Sequence, residues 1–158
     1  MNVEYINPFI KSTINALSTM AFVNPQRSKL YIKTDFEQTS DISGTIGLAG
    51  EATGFVTINF PEKIALTIVS NMLGEQMKNI TPVVKDAVGE IANMIAGGAK
   101  GELIEKGYSF KISLPVVSIG KNHYTNYAKE NPCIVIPFII PEGEFTVDVV
   151  LSRTVNIA

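Results

Sequence analysis

The spacing of apolar residues along the chain predicts three helices, because apolar side chains recur every three or four positions. The predicted helices cover residues 8–22, 61–74 and 82–106. Asn7-Pro8 and Thr81-Pro82 are each typical of an N-cap followed by proline at the first helical position, and Gly74 is well placed to end the second helix. The first helix is expected to share one apolar face among Phe9, Ile10, Ile14, Leu17 and Phe22.

Alternating or continuous apolar runs between and after these helices predict strands. The first is expected at residues 29–37, and a hairpin with a glycine-bearing turn at Gly50-Glu51 is expected to join residues 45–49 and 54–60. Further strands are expected at residues 108–114, 116–119, 133–140 and 144–152, and a polar loop with His123 at residues 120–132. Strands grouped between and after helices, without strict alternation, favour an α+β fold in which helices pack on a largely antiparallel sheet.

Length and composition indicate one folded domain that spans residues 1–158. The chain is 46% hydrophobic and 18% charged, so it has enough apolar surface to offset the entropy lost on ordering. No period of 20–50 residues repeats along the sequence, which excludes solenoids and propellers.

Charge and cysteine content narrow the classes of partner and compartment. Lys and Arg number 13 against 15 Asp and Glu, and the basic residues form no run, so nucleic acid is not expected as a partner. The single Cys133 lies in an apolar run and is expected to be a small buried residue in a reducing compartment, the cytoplasm. No apolar stretch is long enough for a membrane helix or typical of an export signal, so we expect no membrane insertion.

The third predicted helix carries a polar stripe. At about 100° per residue, Asp86, Glu90, Asn93 and Gly97 fall within roughly 60° of one another. The far side of the helix carries an apolar band that is expected to pack on the sheet: Val84, Ala87, Val88, Ile91, Met94 and Ile95. The stripe is therefore expected to face outward.

Two interpretations of the stripe stay open at this level. Glu and Asn on a solvated helix face are usually ordinary surface residues, and Asp86 in a first helical turn would be stabilised by the helix dipole. Asn93 and the pair Gly97-Gly98, however, are unfavourable inside a helix, which suggests a helix face that must stay polar and free of large side chains. Gly98 fits either close approach of a partner or tight packing within the chain.

The spacing Asp86-x-x-x-Glu90-x-x-Asn93, with Pro115 after 21 intervening residues (94–114), resembles the signature of the CheC, CheX and FliY phosphatases. The helix start at Asn7-Pro8-Phe9-Ile10 and the glycine-punctuated hairpin are also similar to that family. CheC-type members carry two motif helices, whereas the first helix here has no Glu-x-x-Asn, so the chain resembles the CheX type.

The resemblance implies a phosphatase that hydrolyses the aspartyl phosphate of a phosphorylated CheY-like response regulator. It implies that Asn93 positions the attacking water and that Glu90 binds the regulator's active-site lysine, with Asp86 and Gly97 contacting the partner and Pro115 as a structural marker. It further implies a homodimer that pairs through its sheets and no cofactor in this chain, since magnesium belongs to the regulator.

A non-catalytic adaptor that binds a regulator or a flagellar-motor component is the alternative, because fold alone does not establish function. Other enzyme classes are poorly supported by the sequence. One histidine and one cysteine do not supply the usual zinc ligands, and no glycine-rich phosphate loop is present. Glu102 and Glu105 are expected to lie on a solvated helix face rather than form an acid–base pair.

Overall fold

An eight-stranded antiparallel sheet carries three helices in the computed structural model of the protein, which describes residues 4–33, 40–120 and 132–153. The helices are α1 (Ile6–Ala21), α2 (Glu62–Leu73) and α3 (Pro82–Glu105). The strands are β1 (Gln26–Arg27), β2 (Tyr31–Ile32), β3 (Ile42–Gly50), β4 (Ala52–Phe60), β5 (Phe110–Ile112), β6 (Val116–Ile119), β7 (Ile134–Ile140) and β8 (Gly143–Arg153). The predicted α+β class and antiparallel sheet are confirmed.

The sheet has the order β1-β7-β8-β4-β3-β5, with β2 also paired to β7 and β6 also paired to β3. The β3–β4 hairpin lies near its centre, with Ile42 opposite Phe60 and Leu48 opposite Gly54. The hairpin was predicted with its turn at Gly50-Glu51, and the structure extends both strands by a few residues. Strands β5 and β6 form one edge of the sheet, and β7 carries β1 and β2 at the other.

The apolar core lies between the helices and one face of the sheet. Alternate residues of the central strands, including Ile42, Ile46 and Ile58, are fully buried. Gly44 lies in this series, and a Cβ there would be 3.2 Å from the backbone carbonyl oxygen of Val88. The glycine therefore lets α3 lie directly against β3.

The predicted start of the first helix is wrong by two residues. Helix α1 begins at Ile6 after Tyr5, which provides no side-chain cap, and Asn7 lies inside the first turn. Tyr5 and Ile6 are both buried, so packing extends the helix past the predicted cap. Pro8 is tolerated because the N–H groups of a first turn have no partner within the helix.

Phe22 also departs from its predicted place on the buried face of the first helix. It caps the C-terminus of α1 in the left-handed conformation, with φ 56°, and its side chain is 78% exposed. The chain leaves the helix at this residue, which turns the side chain away from the face shared by Phe9 and Leu17.

Among the described residues of the strand predicted at 29–37, only Tyr31 and Ile32 form a strand (β2), and the short strand β1 precedes the predicted range; both pair with β7. Gln26 and Arg27 pair with Ile139 and Phe138, and Tyr31 and Ile32 pair further along the same strand. The register shifts by one residue between the two pairings, which is typical of a β-bulge. Residues 34–37 of that predicted strand lie outside the described residues, as does most of the predicted loop, including His123.

The remaining element predictions differ little from the structure. Gly74 adopts the left-handed conformation that ends α2, as predicted. The strand predicted at residues 108–114 is shorter, because β5 ends at Ile112, while β6 coincides with residues 116–119. Cys133 is buried, as predicted. No helix in the described ranges combines the length and apolarity needed to cross a membrane.

A buried polar network lies on the sheet face opposite the helices. The Ser43 hydroxyl donates to Asn59 Oδ1 (2.8 Å), and the Asn59 amide nitrogen donates to the Thr146 hydroxyl (3.0 Å). Beside them the Lys33 ammonium lies 3.5 Å from the Asp148 carboxylate. Burial raises the pKa of the Asp148 carboxyl, while Lys33 and a hydrogen bond from Asn59 act in the opposite direction. No pattern in the sequence predicted this network.

Candidate functional site

The proposed site lies on α3, and the local sequence fixes where this helix begins. Thr81 is the N-cap, and its hydroxyl accepts a hydrogen bond from the backbone N–H of Val84 at 3.3 Å. Pro82 occupies the first helical position, where no intrahelical donor is needed. Both features were predicted, and together they set the register in which every later side chain of α3 is presented.

One face of α3 is buried against the sheet and α1. Most of the predicted apolar band is confirmed as buried, including Val84, Val88, Ile91 and Ile95. Met94 was predicted within this band but is 39% exposed, because it lies at the rim of the groove between α1 and α3. The buried face directs the opposite side of the helix outward.

The structure places all four residues of the polar stripe on the outward side of α3. Asp86, Glu90 and Gly97 are exposed, and Asn93 is partly exposed. Within the described part of the chain, no side-chain hydrogen bond or ion pair involves Asp86, Glu90 or Asn93. The three polar side chains are thus available to a partner, and their chemical roles stay predictions.

The dipole explanation for Asp86 does not hold. Helix α3 begins at Pro82, so Asp86 is its fifth residue, and the first turn contains no acidic side chain. The attraction between a carboxylate and the helix dipole falls off within the first turn. The position of Asp86 therefore has no local explanation in helix capping.

The two adjacent glycines of α3 have different surroundings. A Cβ at Gly98 would collide with the hydroxyl of Ser12 on α1, which donates to the backbone carbonyl of Ile95 at 2.7 Å. Gly98 is therefore explained by tight helix packing, one of the two interpretations left open. A Cβ at Gly97 would meet nothing within 4 Å, so packing within the described residues does not explain that glycine.

Pro115 lies beside the stripe, although it is remote from it in sequence. A Cβ on Gly89 would be 3.4 Å from Cγ of Pro115 and the same distance from Cγ2 of Val117. Gly89 thus lets the connection between β5 and β6 pack against α3, one residue before Glu90. Gly89 was not among the predicted site residues, although a glycine inside a predicted helix can indicate such close approach.

The acidic residues at the C-terminal end of α3 are surface groups, as predicted. Glu102 forms an ion pair with Lys11 of α1 at 2.9 Å, and Glu105 is exposed. Among the residues that the structure describes, no three His, Cys, Asp or Glu side chains are grouped in a way that could hold a metal ion.

Comparison with known proteins identifies the family. Residues 42–139, which include the hairpin, α2, α3 and most of β7, match the family described as chemotaxis phosphatase CheX. The chain belongs to the CheX family. This confirms the resemblance inferred from the spacing of Asp86, Glu90 and Asn93.

Individual relatives agree with this assignment. The CheY-P phosphatase CheX of Thermotoga maritima is 26% identical over 123 residues, which are 77% of this chain and 79% of that protein. A crystal structure of a CheC-like superfamily protein from Shewanella sp. PV-4 is 38% identical, covers 96% of this chain and 99% of its own, and has a TM-score of 0.89. Phosphatase activity is thus a property of the CheX family to which the chain belongs.

A solved complex is also similar to the chain. The CheX–CheY–BeF3–Mg2+ complex from Borrelia burgdorferi contains a chain 25% identical to this one, with a TM-score of 0.81 over 96% of this chain and 100% of that one. The predicted homodimer, cytoplasmic location, single-domain extent and lack of a cofactor stay predictions.

Proposed function

We propose that this chain hydrolyses the aspartyl phosphate of a CheY-like response regulator, with Asn93 positioning the attacking water and Glu90 binding the regulator. The observation that carries the proposal is the arrangement on α3. Glu90 and Asn93 lie one turn apart on an outward face, in a chain of the CheX family, with no side-chain partner among the described residues.

In this reaction the phosphatase need not form a covalent bond with the phosphoryl group. An aspartyl phosphate is an activated acyl phosphate, and we expect the regulator to supply magnesium and a lysine that stabilise charge on the transferring phosphoryl group. Water attacks phosphorus in line, the bond between phosphorus and the aspartyl oxygen breaks, and phosphate and a free carboxylate remain. The phosphatase mainly has to hold the water in that line.

The carboxamide of Asn93 suits this task. It both donates and accepts hydrogen bonds, so it can orient one water molecule, and it is uncharged. A carboxylate in the same place would be repelled by the anionic phosphoryl group. Asn93 is partly exposed on a helix whose start is fixed by a side-chain cap, so its backbone is held in place.

Glu90 is suited to recognition rather than proton transfer. Its exposed carboxylate can form a charge-assisted hydrogen bond with a lysine ammonium on the regulator, which would anchor α3 and fix the approach of Asn93. Asp86 adds a second negative charge one turn earlier, at the rim of this contact.

Release of inorganic phosphate from a phosphorylated CheY-like regulator tests the proposal. Substoichiometric amounts of the chain should accelerate release well above the regulator's own rate. Acceleration that is absent despite measurable binding would favour the adaptor, and absence of both would contradict the proposed function altogether.

A further inference from the structure

Leu114 is a large apolar residue that is 86% exposed, in a short connection between two strands of the sheet. The connection consists of residues 113–115, between β5 and β6. A single exposed leucine is common on protein surfaces and needs no explanation by itself. Its neighbour Pro115 packs against α3 beside the polar stripe, and both flanks of Leu114 are held in place, which gives this leucine significance.

Both neighbours of Leu114 are held in place. The Ser113 hydroxyl accepts a hydrogen bond from the backbone N–H of Gly47 (2.8 Å) and donates to the carbonyl of Leu114 (2.9 Å), while the Ser113 N–H donates to the carbonyl of Gly47 (2.9 Å). On the other side Pro115 packs against Gly89 of α3. The backbone of Leu114 is therefore presented in a fixed place, which lowers the entropy lost when a partner covers its side chain.

Apolar side chains border the stripe on both sides. At about 100° per residue, Val83 and Met94 flank it on one side of α3, and both are exposed. Gly89, with the connection that carries Leu114 against it, flanks the stripe on the other side. The outward face of α3 thus has a polar centre and apolar borders, an arrangement typical of protein-binding surfaces in which apolar contacts keep water from a central polar pair.

We propose that Leu114 is an apolar anchor for the regulator whose aspartyl phosphate is hydrolysed at the stripe, and that it packs against apolar side chains around the regulator's phosphorylated centre. This inference rests on the proposed function. It assigns to Leu114 a contribution to affinity that is independent of charge, whereas Glu90 contributes through charge.

Two observations favour the regulator over a second copy of this chain as the occupant. Pro115, which follows Leu114, packs against Gly89, and Gly89 directly precedes Glu90. A protein bound over Glu90 and Asn93 therefore also reaches the connection that carries Leu114. The adjacent stripe carries two carboxylates, Asp86 and Glu90, which repel an identical acidic stripe and attract a surface that presents lysine and a metal ion.

The test measures the dissociation constant of a CheY-like regulator held in its activated form by beryllofluoride and magnesium. Leu114→Ala should raise Kd about tenfold, by the same factor at low and at high ionic strength, because the lost contact is apolar. Leu114→Met keeps the apolar volume and should stay near the parental Kd. The matched control is Ile139→Ala, which removes a half-exposed apolar side chain on β7, across the sheet from β5 and β6, and should bind as the parent does.

The inference is overturned if Leu114→Ala has the parental Kd, or if Ile139→Ala loses as much affinity. It is also overturned if Leu114→Ala changes the oligomeric state measured by sedimentation while regulator binding is kept, since the leucine would then contact a second copy. Failure of the parent to release phosphate contradicts the proposed function, whereas an active parent with an unaffected Leu114→Ala variant contradicts this inference alone.

Discussion

The hydroxyl of Ser12 on α1 fills the space that a side chain at Gly98 on α3 would need. It donates to the Ile95 carbonyl at 2.7 Å and lies 3.3 Å from that of Met94, so a polar contact joins the two helices here. This contact fixes the rotation of α3, and the rotation determines which residues face outward. One residue earlier, Gly97 is exposed, and a Cβ added there would meet no atom of the described residues within 4 Å.

The contrast between the two glycines predicts opposite effects on stability. Gly98→Ala should lower the free energy of unfolding by roughly 1–3 kcal/mol, because the added methyl group displaces Ser12. Gly97→Ala should raise it by about 0.5–1 kcal/mol, because alanine is the better helix former and nothing obstructs it. Urea unfolding measures the free energy of unfolding of both variants. A destabilised Gly97→Ala variant would show that a side chain at position 97 does meet an obstacle.

Gly97→Ala should nevertheless impair binding of the activated regulator, because the proposed contact needs a position without a side chain one turn after Asn93. We expect Kd to rise several-fold although the fold becomes more stable. Gly101→Ala is the matched control, since Gly101 is also exposed with open space around it and lies one turn further along α3. Equal affinities for the parent and both variants would remove Gly97 from the proposed interface.

Glu90→Ala should weaken the regulator complex about tenfold at low ionic strength and reduce the dependence of Kd on salt, because a charge-assisted contact is lost. Thermal unfolding should stay near the parental temperature, since an exposed helix-face carboxylate contributes little to folding. Glu105→Ala, on the exposed end of the same helix, is the control. Identical affinities and salt slopes for Glu90→Ala and the parent would make Glu90 an ordinary surface residue.

We expect the buried Asp148 to make stability depend on pH, independently of the stripe on α3. Burial raises the pKa of its carboxyl above the usual 3.8, so between 3.8 and the raised pKa the folded protein binds the proton more tightly than the unfolded chain does. Stability contributed by this group is therefore lost as pH rises through that interval. Relative to Asp148→Asn, the parent should become less stable in urea unfolding from pH 4 to pH 7, and a parent that gains stability over the variant would contradict this sign.

The sequence was sufficient for features that depend on local signals. Helix α3 was predicted from its Thr81 cap, Pro82 and 3.6-residue periodicity, and the same periodicity placed Glu90 and Asn93 on one outward face. The start of α1 was mispredicted because burial of Tyr5 and Ile6 outweighs the local signal at Asn7-Pro8.

Features that depend on contacts between residues distant in sequence could not be predicted from local sequence signals. Strands β1 and β2 exist through pairing with β7, more than 100 residues later. Leu114 was assigned to a strand, since nothing local shows that Ser113 bonds to Gly47 and that Pro115 packs on Gly89. The two interpretations of Gly98 could be separated only by its contact with Ser12, which is 86 positions earlier in the sequence.

The central claim is that Asn93 orients the attacking water, and single-turnover release of phosphate from the phosphorylated regulator tests it most directly. Asn93→Ala should bind the activated regulator nearly as the parent does but release phosphate at least about tenfold more slowly, because water positioning acts mainly in the transition state. Asn15→Ala, which alters an exposed asparagine on α1, should keep the parental rate. Release by Asn93→Ala at the parental rate would contradict the account.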